Sequence, residues 1–181
     1  LRCDANGAFS VEENGWSVMQ KLEALADLEF HSIEQPLHPT DRPQLARLCA
    51  ESPLPIGLDE SLIGVHGKGK VRLLEDIKPQ FLILKPSLLG GFAPSQEWIR
   101  LAEERGVGWW ATSALESNLG LYAIAQWVSD GLQSNDPLLP QGLGTGGLFE
   151  NNIQGSMEIG HGELANKAHI NGAWDALQAL M

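Results

Sequence analysis

Positive charge is scarce in this sequence. Twelve Lys and Arg stand against 23 Asp and Glu in 181 residues, a formal net charge of −11. Proteins that bind phosphate backbones concentrate Lys and Arg, so nucleic acid is not an expected partner. Long apolar runs are absent too. No stretch approaches the roughly 20 residues that span a bilayer, and no signal-peptide pattern opens the chain. Cysteine is limited to Cys3 and Cys49, which cannot form a disulfide framework. One falls in an expected strand and the other in an expected helix, so both read as buried thiols of a cytoplasmic protein. An initiating Met is also lacking. The chain opens at Leu1, directly on Arg2-Cys3-Asp4-Ala5-Asn6-Gly7, and the expectation is a segment without its N-terminal portion. What is present suits one well-buried domain: 43% of the residues are hydrophobic.

Short apolar runs alternate with amphipathic segments along the chain. The first run, Leu1 to Asp4, precedes Ser10-Val11-Glu12-Glu13, a capping-box pattern expected to start a helix with Val18, Leu22, Leu25 and Leu28 on one stripe. Further strands are expected at Phe30 to Glu34, Pro55 to Asp59, Phe81 to Lys85 and Val107 to Ala114, with a weaker sixth at Leu139 to Leu143. The intervening helices are expected over Pro43 to Ala50, Val71 to Ile77, Ser95 to Glu104 and Asn118 to Leu132. Repeated βα units imply a parallel sheet with right-handed crossovers. A closed (β/α) barrel of TIM type needs about 250 residues and eight units. The expected fold is therefore α/β, the last six of about eight units of such a barrel, over residues 1–153. Residues 154–181 are expected to pack on the barrel or on a capping domain. Within them, Gly155 to Gly162 reads as a loop or edge hairpin and Trp174 to Leu180 as a short helix.

The polar residues that end these runs carry the chemistry. Asp4, Glu34, Asp59 and Lys85 follow one another at intervals of 30, 25 and 26 residues, one βα unit each time. In a parallel barrel the C-terminal strand ends share one rim, and neighbouring strands lie about 4.8 Å apart. Three successive carboxylates can therefore converge on one point. An all-oxygen set without His or Cys favours Mg²⁺, with Mn²⁺ as the alternative, over Zn²⁺. Its charge of −3 is repulsive without a cation. Lys85, next around the rim, places an ammonium where it can serve as an acid, a base or a stabiliser of a developing anion. The parts suit proton abstraction beside a small-molecule carboxylate, giving an enediolate.

Arg2-Cys3-Asp4-Ala5-Asn6-Gly7, Ile33-Glu34-Gln35-Pro36, Gly57-Leu58-Asp59-Glu60-Ser61 and Leu84-Lys85-Pro86 resemble, in order, the muconate-lactonizing branch of the enolase superfamily. Ser113-Ala114-Leu115-Glu116-Ser117-Asn118-Leu119-Gly120 and Gln141-Gly142-Leu143-Gly144-Thr145-Gly146 are similar to o-succinylbenzoate synthases. The resemblance implies Asp4, Glu34 and Asp59 as Mg²⁺ ligands, Glu60 as their neighbour, and Lys85 as a cation near the enediolate. It implies Arg2, Asn6 and Ser113 as substrate contacts. The implied reaction is a lyase step of menaquinone biosynthesis, the dehydration of a succinyl-hydroxy-cyclohexadiene carboxylate to o-succinylbenzoate. That family takes its base from a Lys-x-Lys on an earlier strand. The present chain has no such motif before Asp4, and on its own is expected to be inactive. Lys68-Gly69-Lys70 has the spacing but follows the Asp59 strand, and reads as a solvated loop.

Four other readings compete with this one. N-succinylamino acid racemization uses the same ligands and stays open as an alternative, as does a non-catalytic barrel relative that acts as a binding protein. Dipeptide epimerases tend to carry Asp-x-Asp on the last strand, where this chain has glycines. Gly64 to Lys70 fits part of a P-loop, but Val71 stands where a metal-binding hydroxyl is required. Gly144-Thr145-Gly146-Gly147 is a better anion cradle. One ring of Trp109-Trp110 is expected to approach the pocket. The five histidines show no ligand spacing, and the oligomeric state is not legible.

Overall fold

The computed structural model describes residues 1–11, 15–131, 139–145, 148–152 and 157–166. Five strands, β1 (Arg2–Asp4), β2 (Ser32–Glu34), β3 (Ile56–Leu58), β4 (Phe81–Leu84) and β5 (Gly108–Ala111), form one sheet in sequence order. Pairing is parallel from β1 to β4, with Asp4 opposite Glu34, Glu34 opposite Gly57 and Gly57 opposite Phe81. The helices are α1 (Val18–Asp27), α2 (Arg42–Glu51), α3 (Lys68–Ile77), α4 (Pro86–Leu89), α5 (Phe92–Glu103) and α6 (Asn118–Gly131). The fold is thus α/β with a parallel sheet built from successive βα units. The chain divides into two compact units, Leu1–Trp110 and Ala111–Met181.

Alternation along each strand sorts its residues between two faces. In-register partners share a face, so Asp4, Glu34, Gly57 and Phe81 lie together, and Asp59 and Lys85 continue their parity beyond the strand ends. The opposite parity is apolar. Ile33, Ile56, Leu58, Leu82 and Leu84 are fully buried, as are Leu22, Leu45, Leu73 and Trp98 of the helices. Burial of both faces is what a parallel sheet requires.

Two glycines make room on the polar-parity face. A Cβ on Gly57 would come within 2.5 Å of Ile83 Cδ1, and one on Gly108 within 2.6 and 2.7 Å of Phe81 Cδ1 and Cε1. The Ile83 methyl can turn aside. The Phe81 ring cannot, because it packs 5.0 Å from His31 and 5.2 Å from Trp110, centroid to centroid. Gly108→Ala is therefore expected to cost about 1–3 kcal/mol through overpacking, and Gly57→Ala less. Urea midpoints in the order Gly57→Ala below Gly108→Ala would contradict this.

Several boundaries differ from the sequence expectation. The first helix begins at Val18, not near Ser10. Ser17 is its N-cap, and the capping box pairs Ser17 with Gln20. Ser10 Oγ instead accepts from the His38 backbone N–H at 2.8 Å; Glu12 and Glu13 lie outside the described residues. Leu28 caps the helix and is 70% exposed rather than on the buried stripe. Lys68-Gly69-Lys70 is not a solvated loop but the first turn of α3. Lys70 lies on the same helix face as Leu73, Leu74 and Ile77 and is 1% exposed. Its Nζ donates to Pro94 O at 2.8 Å and to Glu97 Oε2 at 2.6 Å. That arrangement also removes Lys70 from any phosphate-binding role.

The sixth strand is reduced to a single parallel bridge between Thr112 and Gly142. Both cysteines are free and half-buried, and burial pushes the Cys49 thiol up to about 12. Within the C-terminal segment, β6 (Met157–Gly160) and β7 (Glu163–Asn166) form an antiparallel hairpin, whose second strand lies beyond the Gly155 to Gly162 stretch expected as a loop or edge hairpin. The expected helix at Trp174 to Leu180 lies outside the described residues. Among the described residues no helix is long and apolar enough to cross a membrane.

Candidate metal centre

Asp4 and Glu34 are the last residues of β1 and β2, and Asp59 and Lys85 directly follow β3 and β4. One carboxylate oxygen from each of Asp4, Glu34 and Asp59 lies within 4.8 Å of the others. Asp4 is exposed, Glu34 half-buried and Asp59 only 1% exposed, so the cluster runs from solvent into the protein. Asp4 Oδ1 accepts from the Asn6 N–H at 2.9 Å. Asn6 is exposed and adopts a φ of 45°, the left-handed conformation that Asn tolerates. Lys85 Nζ donates to Asp59 Oδ2 in a close ion pair, with 19% of the Lys85 side chain exposed.

Sequence reasoning passed over Gln35, which frames this rim. Its side chain is fully buried. Nε2 donates to Leu37 O at 2.8 Å and Ser61 Oγ at 2.9 Å, while Oε1 accepts from the Asp59 and Ser61 N–H groups at 3.2 Å each. One amide thus ties the end of β2 to the turn that carries Asp59. The signal was a polar residue between Glu34 and Pro36, a place equally ordinary in any strand-to-loop junction.

Electrostatics describe a site that carries surplus negative charge. Burial pushes the Glu34 carboxyl up to about 7, reinforced by Asp4 and Asp59 and opposed by Lys85 and Arg2. Burial likewise raises Asp59 to about 6 against the pull of Lys85. For Lys85, burial favours loss of the proton, but the bond to Asp59 and the surrounding carboxylates outweigh it and hold the ammonium above its ordinary value. Glu60 Oε2 is buried without a hydrogen-bond partner. An all-carboxylate donor set, a carboxyl raised by burial and further by its acidic neighbours, and an unpaired buried oxygen all fit a hard divalent cation such as Mg²⁺.

A raised carboxyl means that the folded metal-free protein holds protons the unfolded chain has released. That contribution to stability is complete below about 4.5, the ordinary value for Glu34, and is lost as pH rises through about 7. In EDTA the melting temperature is therefore expected to fall from pH 5 to pH 8, and saturating Mg²⁺ to reverse most of the loss. Calorimetric scans that show no such loss in EDTA, or no Mg²⁺ effect at pH 8, would contradict it.

Arg2 lies deeper on the same face. Its guanidinium stacks 3.8 Å from the Trp110 ring centroid, and burial lowers its affinity for the proton while Glu34 opposes that. Trp110 is 1% exposed and packs against Phe81, so it is the inward member of the Trp pair. His31 borders both rings, and burial together with the Arg2 charge depresses its pKa. The structure thus groups Arg2, Asp4, Asn6, Glu34, Asp59, Glu60 and Lys85 within the first unit, while Ser113 belongs to the second. There, Ser113 Oγ donates to Glu116 Oε2 and accepts from Thr145 Oγ1 at 2.5 Å. Of the candidate anion loop, Gly144 and Thr145 are described, and Gly146 and Gly147 lie outside the described residues.

The chain is similar to several known proteins. The o-succinylbenzoate synthase of Desulfotalea psychrophila (strain LSv54) is 50% identical over 164 residues, 91% of this chain and 42% of that protein. The N-succinylamino acid racemase of Thermus thermophilus is 35% identical over 120 residues, 66% of this chain and 31% of that protein. Among solved structures, MenC from Desulfotalea psychrophila superimposes with a TM-score of 0.81 at 49% identity, covering 90% of this chain and 44% of that one. Muconate lactonizing enzyme from Pseudomonas putida does so with a TM-score of 0.67 at 25% identity, covering 87% and 41%. The chain spans about two fifths of the length of the first of these relatives. Residues 1–165 match the description "Enolase C-terminal domain-like", and the chain belongs to that family.

Proposed function

We propose that this chain forms the metal-binding part of a Mg²⁺-dependent o-succinylbenzoate synthase. The observation that carries the reading is the convergence of Asp4, Glu34 and Asp59 within 4.8 Å, with Lys85 against Asp59. The 50% identity to a synthase supports the choice of reaction. Asp4, Glu34 and Asp59 would hold the ion, with Glu60 beside them. When bound, Mg²⁺ supplies positive charge to the oxygens of the substrate carboxylate. Lys85 keeps its proton and presents a cation to the negative charge that grows as the α-proton leaves. The resemblance assigns Arg2, Asn6 and Ser113 to the substrate, and we add the Gly144-Thr145 loop as an anion cradle.

We assign the base that removes the α-proton to a lysine on one of the two further βα units that would complete an eightfold barrel, and turnover to a polypeptide that carries them. That polypeptide, given the succinyl-hydroxy-cyclohexadiene carboxylate, is expected to bleach its absorbance with Mg²⁺ and to stop in excess EDTA. A folded, Mg²⁺-binding protein that leaves the absorbance unchanged would overturn the synthase reading. The second reading is racemization of N-succinylamino acids, favoured by the racemase relative at 35% identity. Polarimetry on an N-succinyl L-amino acid tests it in the same preparation.

A further inference from the structure

Ser113 ends up with no hydrogen-bonding capacity to spare. A hydroxyl offers one proton and two lone pairs. The Ser113 proton goes to Glu116 Oε2. One lone pair accepts the Glu116 backbone N–H at 3.1 Å, and the other accepts Thr145 Oγ1–H at 2.5 Å. The backbone is equally committed, since the Ser113 N–H donates to Gly142 O at 3.1 Å. Ser113 itself is 7% exposed. A residue so saturated cannot also offer its hydroxyl to a ligand without breaking one of these bonds.

The turn is built around the Glu116 side chain. Leu115 takes a φ of 66°, a conformation that costs a non-glycine residue about 1 kcal/mol or more. It brings the Glu116 backbone and carboxylate back to the same hydroxyl. Gly120, in the first turn of α6, completes the arrangement. A Cβ there would stand 2.8 and 2.9 Å from Glu116 Cβ and Cγ, so a larger residue would push the Glu116 side chain off Ser113. On the other side of the hydroxyl, the 139–145 stretch is joined to the β5 end at several points. The Gly142 N–H donates to Ala111 O at 2.8 Å, and Gln141 Oε1 accepts from the Ala111 N–H at 2.7 Å. Thr145 is tied through its hydroxyl, and that bond ends on Ser113.

We propose that Glu116 is a positioning residue for substrate binding: through the Ser113 hydroxyl it fixes Thr145, and with it the Gly144-Thr145 part of the loop that receives a carboxylate of the substrate. The inference rests on the functional reading above. On it, Ser113 serves the substrate through Thr145 rather than by direct contact. Charge reinforces the choice of Glu over a neutral residue, because a carboxylate acceptor strengthens the Ser113 bond and so polarises the hydroxyl toward Thr145.

The test uses the longer polypeptide with Mg²⁺ and the two substrates named above, read on whichever the parent turns over. Glu116→Ala is expected to raise KM at least tenfold with kcat within threefold and Mg²⁺ affinity unchanged. Glu116→Gln, whose amide oxygen still accepts from Ser113, is expected to recover KM to within about threefold of the parent. Ser113→Ala should raise KM at least as much as Glu116→Ala, and the double variant no further than Ser113→Ala alone. A Glu116→Ala KM within twofold of the parent overturns the proposal, whether or not the melting temperature falls. So does a loss confined to kcat, or additive effects in the double variant. A parent that turns over neither substrate overturns the functional reading instead, and the positioning role with it.

Discussion

Lys85→Ala, made in the longer polypeptide, is expected to lower turnover by about 10²–10³-fold or more while Mg²⁺ binds as tightly as in the parent, or more tightly. The two halves of this expectation come from one contact. Lys85 Nζ sits against Asp59 Oδ2, so in the metal-free protein it competes with any cation for that carboxylate. Removing it leaves three mutually repelling carboxylates with less compensation, which favours the metal. The substrate side loses instead. The negative charge formed on proton abstraction would develop in a half-buried place where a cation counts for far more than in water. Arginine is not an adequate replacement, because its planar fork differs in shape and reach from a compact ammonium. Isothermal titration with Mg²⁺ and a single-turnover assay check the two halves separately. A variant within tenfold of the parent rate would remove Lys85 from the mechanism. A variant that no longer binds Mg²⁺ would recast Lys85 as a structural partner of Asp59.

The rim was legible in the sequence because its geometry reduces to counting. A parallel βα unit has a limited range of lengths, so the intervals of 30, 25 and 26 residues between Asp4, Glu34, Asp59 and Lys85 translate into adjacent strand ends. The apolar strands were legible for a related reason, since burial on both faces leaves continuous runs such as Phe81 to Leu84. Lys70 was not legible. Apolar periodicity counts a lysine as outward, whereas here its charge is met by Glu97 and Pro94 O and its stem fills the stripe of Leu73, Leu74 and Ile77. The start of α1 was misplaced because Ser10-Val11-Glu12-Glu13 offers a good local cap, yet Ser10 is drawn to the His38 backbone across the chain. A tertiary partner of that kind, 28 residues away, has no trace in local pattern. Gln35 was missed for the same reason: its role lies in four bonds to residues up to 26 positions distant. Ser113 is expected from the sequence as a substrate contact, but which atoms it engages depends on Glu116 and Thr145 arriving at one hydroxyl. No spacing rule announces that meeting.

Asp59→Asn is expected to weaken Mg²⁺ by at least about 100-fold, beyond the 10–100-fold that loss of a supporting residue costs. Asp59 is the buried member of the three carboxylates, at 1% exposure, so its charge is least screened by water and worth most to the ion. The change is nearly isosteric. The bond from the Asp59 backbone to Gln35 Oε1 involves no side-chain atom of Asp59 and should survive, which keeps the turn in place. Two effects then act together against the metal. One anionic ligand is lost, and Lys85, deprived of its carboxylate partner, is left as a cation facing the site. Relief of repulsion on Glu34 works the other way, since Asp59 is one of the charges that raise its pKa. It is the smaller effect, because burial leads in that shift. The metal-free variant should therefore show a weaker pH dependence of melting than the parent, and a much smaller Mg²⁺-induced rise at pH 8. Both follow from the same titration series. A dissociation constant for Mg²⁺ equal to that of the parent would exclude Asp59 as a ligand and, with it, the reading of the three strand ends as a single metal centre.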